Sequence, residues 1–206
     1  FNDDMSNCLR ITIPYRIDRL KLLLQQALLP DLICLDMDGV LINTSGSYDA
    51  TIIATVKQLS GKEVAQSEIN QLKNVGGYNN DWVVTQKILQ DLGIDMQLNA
   101  VIEVFQQFYI GDKVDGKNNG LVKNETAIIN ASLLSCIKKS TTTAFAIVTG
   151  RPLIEANAGK ELIGLNELDL ISLDCVTKAK PSPEGIQRLQ KKYSSLSWMC
   201  GDNPDD

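Results

Sequence analysis

Histidine is absent from the 206 residues. Its absence excludes Ser-His-Asp and Cys-His nucleophilic machinery and zinc sites built on imidazole, leaving carboxylates, Lys, Thr and Tyr as chemical actors. No apolar run reaches the roughly 18 residues that a membrane-spanning helix needs, and no secretory leader is visible. Positive charge is in the minority, with 20 Lys and Arg against 25 Asp and Glu for a net charge of −5. Without a basic cluster, neither nucleic acid nor an anionic membrane is an expected partner. The five cysteines, Cys8, Cys34, Cys136, Cys175 and Cys200, lack metal-ligand spacing. An odd number of scattered thiols, two of them (Cys34 and Cys200) in expected core strands, points to a reducing, cytoplasmic compartment. Internal repeats and low-complexity tracts are also missing. What remains is a globule with 44% hydrophobic and 22% charged residues, long enough for one α/β domain carrying an insertion.

Chemistry concentrates first in Leu32-Ile-Cys-Leu-Asp36-Met-Asp38-Gly-Val-Leu41. Four apolar residues read as a buried strand, and two carboxylates follow where it ends. Side chains at i and i+2 of an extended chain point the same way, so Asp36 and Asp38 can face one small site. The same residues also read as a strand followed by an ordinary Asp-Gly turn. Three later segments bear on the choice. Phe145-Ala-Ile-Val-Thr149-Gly150 is a second apolar strand ending in Thr-Gly. Lys178-Ala-Lys180-Pro follows a third strand-like run, Leu168–Leu173. Trp198-Met-Cys-Gly201-Asp202-Asn-Pro-Asp205-Asp206 is a fourth, ending in acids.

An Asp pair, a Thr, a Lys and an acidic cluster, in that order at strand ends, resemble the haloacid dehalogenase-like hydrolase superfamily over residues 31 to 206. The resemblance implies a doubly wound, parallel Rossmann-like α/β core with an inserted α-helical cap. The core would comprise 30–45 and 122–206, the cap 46–121, with hinges near Ser45 and Gly120. Within the cap, helical patterns run over Tyr48–Leu59 and about 67–74, 80–92 and 96–109, with a polar loop at Gly111–Gly120. In the core, Asn124 is the expected N-cap of a helix to Lys139 whose Ile128, Ile129, Leu133, Cys136 and Ile137 face inward. Further helices are expected from Pro152 to Leu162 and, capped by Ser182, from Pro183.

Ahead of this domain, a strand-like run at 9–14 and an amphipathic helix at 16–28 resemble the end of histidinol-phosphate aminotransferases, carried by Asn7-Cys-Leu-Arg10-Ile-Thr-Ile. In that family the matching Arg, here Arg10, contacts the substrate's acidic group. With Phe1 rather than Met at its start, the chain is expected to be a fragment of an aminotransferase–hydrolase fusion, residues 1–29 being the aminotransferase remnant.

The superfamily resemblance also assigns roles. Asp36 would attack phosphorus and Asp38 would act as acid and base. Thr149, with backbone groups around Gly150, would hold a phosphoryl oxygen. Lys180, directly before Pro, would be the phosphate-binding cation, and Lys178 a solvated charge. Mg²⁺ would sit on Asp36, the Asp38 carbonyl and Asp202, with Asp206 a ligand or one water removed, and Asp205 solvated. An Asp at position 38 favours phosphoryl chemistry over carbon–halogen cleavage. Substrate choice falls to the Gly76–Trp82 loop through Tyr78, Asn79, Asn80, Asp81 and Trp82; Asn79 or Asn80 also reads as a helix N-cap, with Trp82 packed in the cap. The expected substrate is a small phosphorylated metabolite, with histidinol phosphate favoured by the neighbouring aminotransferase-like segment. Alternatives are a phosphoglycolate phosphatase-like activity, a β-phosphoglucomutase-like activity, or a non-catalytic accessory domain.

Overall fold

The computed structural model describes residues 30–78, 80–114, 117–140, 142–193 and 196–206. The strand and helix expected within residues 9–28, Arg10 among them, lie outside the described residues, as does Asn79. Four parallel strands, β1 (Leu32–Leu35), β6 (Ala144–Val148), β7 (Asp169–Ile171) and β8 (Ser197–Cys200), form one sheet in the order β7-β6-β1-β8. Side-chain alternation explains why it is covered on both faces. Leu35, Phe145 and Ile147 point into one cluster, where Leu134 of α5 (Ala131–Ser140) and Ala156 and Ile163 of α6 (Leu153–Ile163) meet them. Leu32, Cys34, Ala146 and Val148 point the other way, onto Leu189 of α7 (Glu184–Gln190). Helices on both faces of a parallel sheet make the doubly wound α/β architecture expected from the motif order.

Between β1 and β6 the chain leaves through β2 (Ile42–Asn43) and returns through β5 (Thr126–Ala127), which pair antiparallel. The excursion contains α1 (Ala50–Ser60), α2 (Gln66–Val75), α3 (Asp81–Asp91) and α4 (Leu98–Tyr109). These helices bury a separate cluster that includes Ile52, Val56, Ile69, Val84, Leu89, Val101, Phe105 and Tyr109. Val101, Phe105 and Tyr109 recur every fourth residue on α4, one stripe facing inward. Tyr48 stacks on Tyr109 with ring centroids 4.5 Å apart, so the outgoing linker is packed against the last helix.

Several local expectations change. The first helix begins at Ala50, because Ser45–Asp49 forms a wider π-type turn. The Gly111–Gly120 loop contains a short hairpin, β3 (Lys113–Val114) with β4 (Lys117–Asn118). Asn124 ends a short 3₁₀ turn and its side chain donates to Gly46 O; Asn130 caps α5 instead, accepting from Ser132 N–H at 2.9 Å. The inward stripe on that helix is carried by Leu134, while Ile128 is 54% exposed and Cys136 lies on the surface; the Leu133 and Ile137 side chains lie outside the described residues. Cys200 is also exposed, since β8 pairs with β1 on one side and has no described strand on its other. No described helix is long and apolar enough to cross a membrane.

Phe105 is fully buried among the four excursion helices and touches none of the sheet clusters. Phe105→Ala should therefore lower unfolding free energy by about 3–5 kcal/mol in denaturant titrations. Hydrogen exchange should speed up over 50–109 first, while amides of β1 and β6 stay protected.

Candidate active site

Asp36 is the first residue beyond β1, where its N–H donates to Cys200 O at 2.9 Å. The chain then doubles back through a tight loop in which Gly39, at φ +71°, donates its N–H to Ile42 O. A Cβ at Gly39 would fall 1.8 Å from Asp202 Oδ2, and one at Gly201 would fall 2.1 Å from Asp206 Oδ2. Only glycine lets the two acidic loops approach this closely. One carboxylate oxygen from each of Asp36, Asp202 and Asp206 lies within 4.8 Å of the others. Three hard oxygen donors at that spacing are chemically suited to a divalent cation.

Lys180 is the counter-charge. Its Nζ lies 2.8 Å from Asp36 Oδ1 and also pairs with Asp206, with 9% of the side chain exposed. Burial opposes that ammonium, but Asp36 and Asp206 outweigh it and raise the Lys180 pKa. Burial pushes the Asp36 carboxyl up to about 7; Lys180 pulls it down, and Asp38 and Asp206 add to the rise. Partial burial, then the Asp206 charge, also lifts Asp202. Thr149 directly follows β6 one strand over, buried, with its N–H on Ile171 O and its hydroxyl accepting from Arg151 N–H at 3.2 Å. Thr149, Gly150 and Lys180 line one shallow cleft; Lys178 on the same rim is exposed.

Tyr78 and residues 80–82 lie over this end of the sheet. Asn80, Asp81, Trp82 and Gly150 share a cleft with Asp36 and Asp38, and Tyr78 lines an adjoining one with Asp202. Asn80 does cap α3, accepting from Trp82 N–H at 2.9 Å, and Trp82 packs partly into the helical cluster. Capping and cleft lining thus coexist in the same residues. Asp81 is tied by Lys73, which lies 2.8 Å from both Asp81 and Asp49.

Asp205 is a correction. It is 6% exposed rather than solvated, because both carboxylate oxygens accept the Gly77 N–H at 2.7 and 2.8 Å. Gly76 and Gly77, at φ +85° and +79°, adopt a left-handed backbone that other residues resist, and so turn that N–H toward the acidic loop. Sequence reasoning also missed Tyr48, Glu125, Arg151 and Glu155. Arg151 directly follows the Thr-Gly pair, which was its one available signal; Glu125 is distant in sequence from everything it binds.

The comparisons place the chain. A model of haloacid dehalogenase-like hydrolases matches residues 30–206, and the chain belongs to that family. It is 33% identical over 183 residues to a Phytophthora nicotianae protein named imidazoleglycerol-phosphate dehydratase, aligning 84% of this chain with 39% of that one. The chain therefore spans about two fifths of the length of the curated relative it matches. Its fold is similar to a phosphatase from Thermococcus thioreducens (TM-score 0.61, 19% identity, covering 84% of this chain and 93% of that one). It is also similar to a hydrolase from Pseudomonas syringae (TM-score 0.62, 18% identity, 84% and 76%).

Asp36 yields a pH prediction. Its folded pKa of about 7 lies above its unfolded value, so the metal-free folded state keeps a proton that the unfolded chain has lost. That contribution is fully present below about pH 4 and is lost as pH rises to about 7. In chelator, the melting temperature should fall between pH 5 and 7.5 more steeply than in Asp36→Asn. Parallel slopes for the two proteins would contradict the assignment.

Proposed function

We propose that the protein is a Mg²⁺-dependent phosphomonoesterase that works through an aspartyl-phosphate on Asp36. The observation that carries this reading is the buried Lys180 shared by Asp36 and Asp206 beside Asp202, where the segments that follow β1, β7 and β8 converge. A phosphomonoester brings two negative charges to a carboxylate nucleophile, and that repulsion is what the site must offset. Asp36, Asp202, Asp206 and the Asp38 carbonyl would hold the metal, which supplies charge neutralisation between nucleophile and phosphoryl oxygens. Lys180 contributes positive charge from the opposite flank. Thr149 and the Gly150 backbone orient the phosphoryl group. Asp36 attacks phosphorus; Asp38 gives a proton to the leaving oxygen, then accepts one from the water that cleaves the acyl phosphate.

The helical block at 46–121 acts as the cap, and its 76–82 loop contacts the part of the substrate beyond phosphate. An aromatic and acidic lining formed by Tyr48, Trp82, Asp81 and Glu155 suits a small phosphomonoester carrying a flat, cationic or hydrogen-bonding group. Histidinol phosphate is the substrate we favour. Its imidazole and amine fit that lining, the relative's name refers to another imidazole-bearing phosphomonoester, and residues 7–28 resemble an aminotransferase that makes histidinol phosphate.

Phosphate release across histidinol phosphate, phosphoglycolate and sugar phosphates tests the reading. Histidinol phosphate should lead in kcat/KM by at least about tenfold, roughly 1.4 kcal/mol of discrimination. EDTA should abolish turnover reversibly, and Asp36→Asn should abolish it while remaining folded. Comparable rates on all three substrates would remove the substrate assignment; full activity after exhaustive chelation would remove the metal. Isomerised sugar phosphate in place of free phosphate would mark a mutase.

A further inference from the structure

We propose that Arg151 is the positioning residue that aims Asp38 at the leaving oxygen, anchored for that task by Glu125. The proposal rests on the phosphomonoesterase reading above. Arg151 is 3% exposed, yet it lies at the rim of the cleft that Asp36 and Asp38 line. Its Nε and Nη2 both reach Asp38 Oδ1, at 2.8 and 2.6 Å. Nη1 and Nη2 reach the two oxygens of Glu125, each at 3.0 Å. The guanidinium carbon lies 5.1 Å from the centre of the Tyr48 ring, and the Arg151 backbone N–H is held by Thr149 Oγ1. Fork, face and backbone are all engaged, so the plane of the guanidinium has one orientation.

That orientation selects one oxygen of Asp38. The Nε–H bond and the Nη2 ion-pair contact both fall on Oδ1, and no hydrogen bond among the described residues engages Oδ2. Asp38, with 31% of its side chain exposed, therefore presents Oδ2 to the cleft as the atom that carries the proton. Glu125 supplies the counter-charge. Paired with it, the fork gives Asp38 a direction without a net positive charge. Glu125 is itself fixed from three elements, accepting from Ser47 Oγ at 3.1 Å and Tyr109 OH at 2.9 Å as well as from Arg151. A buried ion pair is a poor device for stability alone, since an apolar pair of the same volume serves as well. The planar fork is what lysine cannot reproduce.

The test uses leaving-group dependence, which simple loss of structure would not select. An alkyl phosphomonoester expels a basic alkoxide and needs the Asp38 proton, whereas p-nitrophenyl phosphate expels a weakly basic phenolate and does not. In Arg151→Lys, kcat/KM for the alkyl ester should fall about 100-fold, and for p-nitrophenyl phosphate less than about threefold. Glu125→Gln should show the same split at about tenfold for the alkyl ester. Equal losses on both esters, or no loss on either, overturn the proposal. If circular dichroism shows Arg151→Lys unfolded, Glu125→Gln decides by the same criterion. Wild-type protein inert toward both esters would overturn the phosphomonoesterase reading, and the positioning role with it.

Discussion

Asp36 lies buried beside Asp38, Asp202 and Asp206 at the end of β1, and among the described residues the ammonium of Lys180 is paired directly with it. Crowded carboxylates repel one another strongly where water is scarce. Much of the surrounding construction answers to that constraint. Parallel strands bring the β1, β6 and β8 ends together, glycines at 39 and 201 let the acidic loops touch, and Lys180 enters from the segment after β7. The proton that burial favours on Asp36 is one way to relieve the repulsion; a divalent cation on the same oxygens is the other.

The helical block is tied to this centre by polar contacts rather than by its apolar cluster. Asp205 holds the Gly77 N–H; Glu155 accepts from Tyr48 OH and Gln106 Nε2; Glu125 gathers Ser47, Tyr109 and Arg151 where the chain leaves and returns. Each contact joins a site residue, or its sequence neighbour, to the block. The cleft therefore depends on how the block is seated, and apolar packing alone would specify that seating less sharply.

Much of the fold was legible because its signals are local. Apolar runs at 32–35 and 144–148 end in chemistry-bearing residues, and periodic stripes mark the helices of the excursion within about two residues of their observed ends, whereas the helix expected from Asn124 begins only at Ala131. The acids and the lysine before proline were legible because their order along the chain is the order of strand ends. Asp205, Glu125 and Glu155 were not, since their roles come from partners 128, 26 and 107 positions away. Asn124 and Asn130 show the same limit at short range. Both fit an N-cap, and the choice between them follows from the 3₁₀ turn and β5 that intervene.

The central claim, that Asp36 carries the phosphoryl group, is tested most directly by rapid acid quench of Asp38→Asn mixed with p-nitrophenyl phosphate and Mg²⁺, followed by peptide mass spectrometry. Without the base that activates water, the acyl phosphate should accumulate. The account predicts a phosphate adduct on the peptide containing Asp36, absent when Asp36→Asn is added. A nitrophenol burst with no adduct there, or an adduct on another residue, would contradict it.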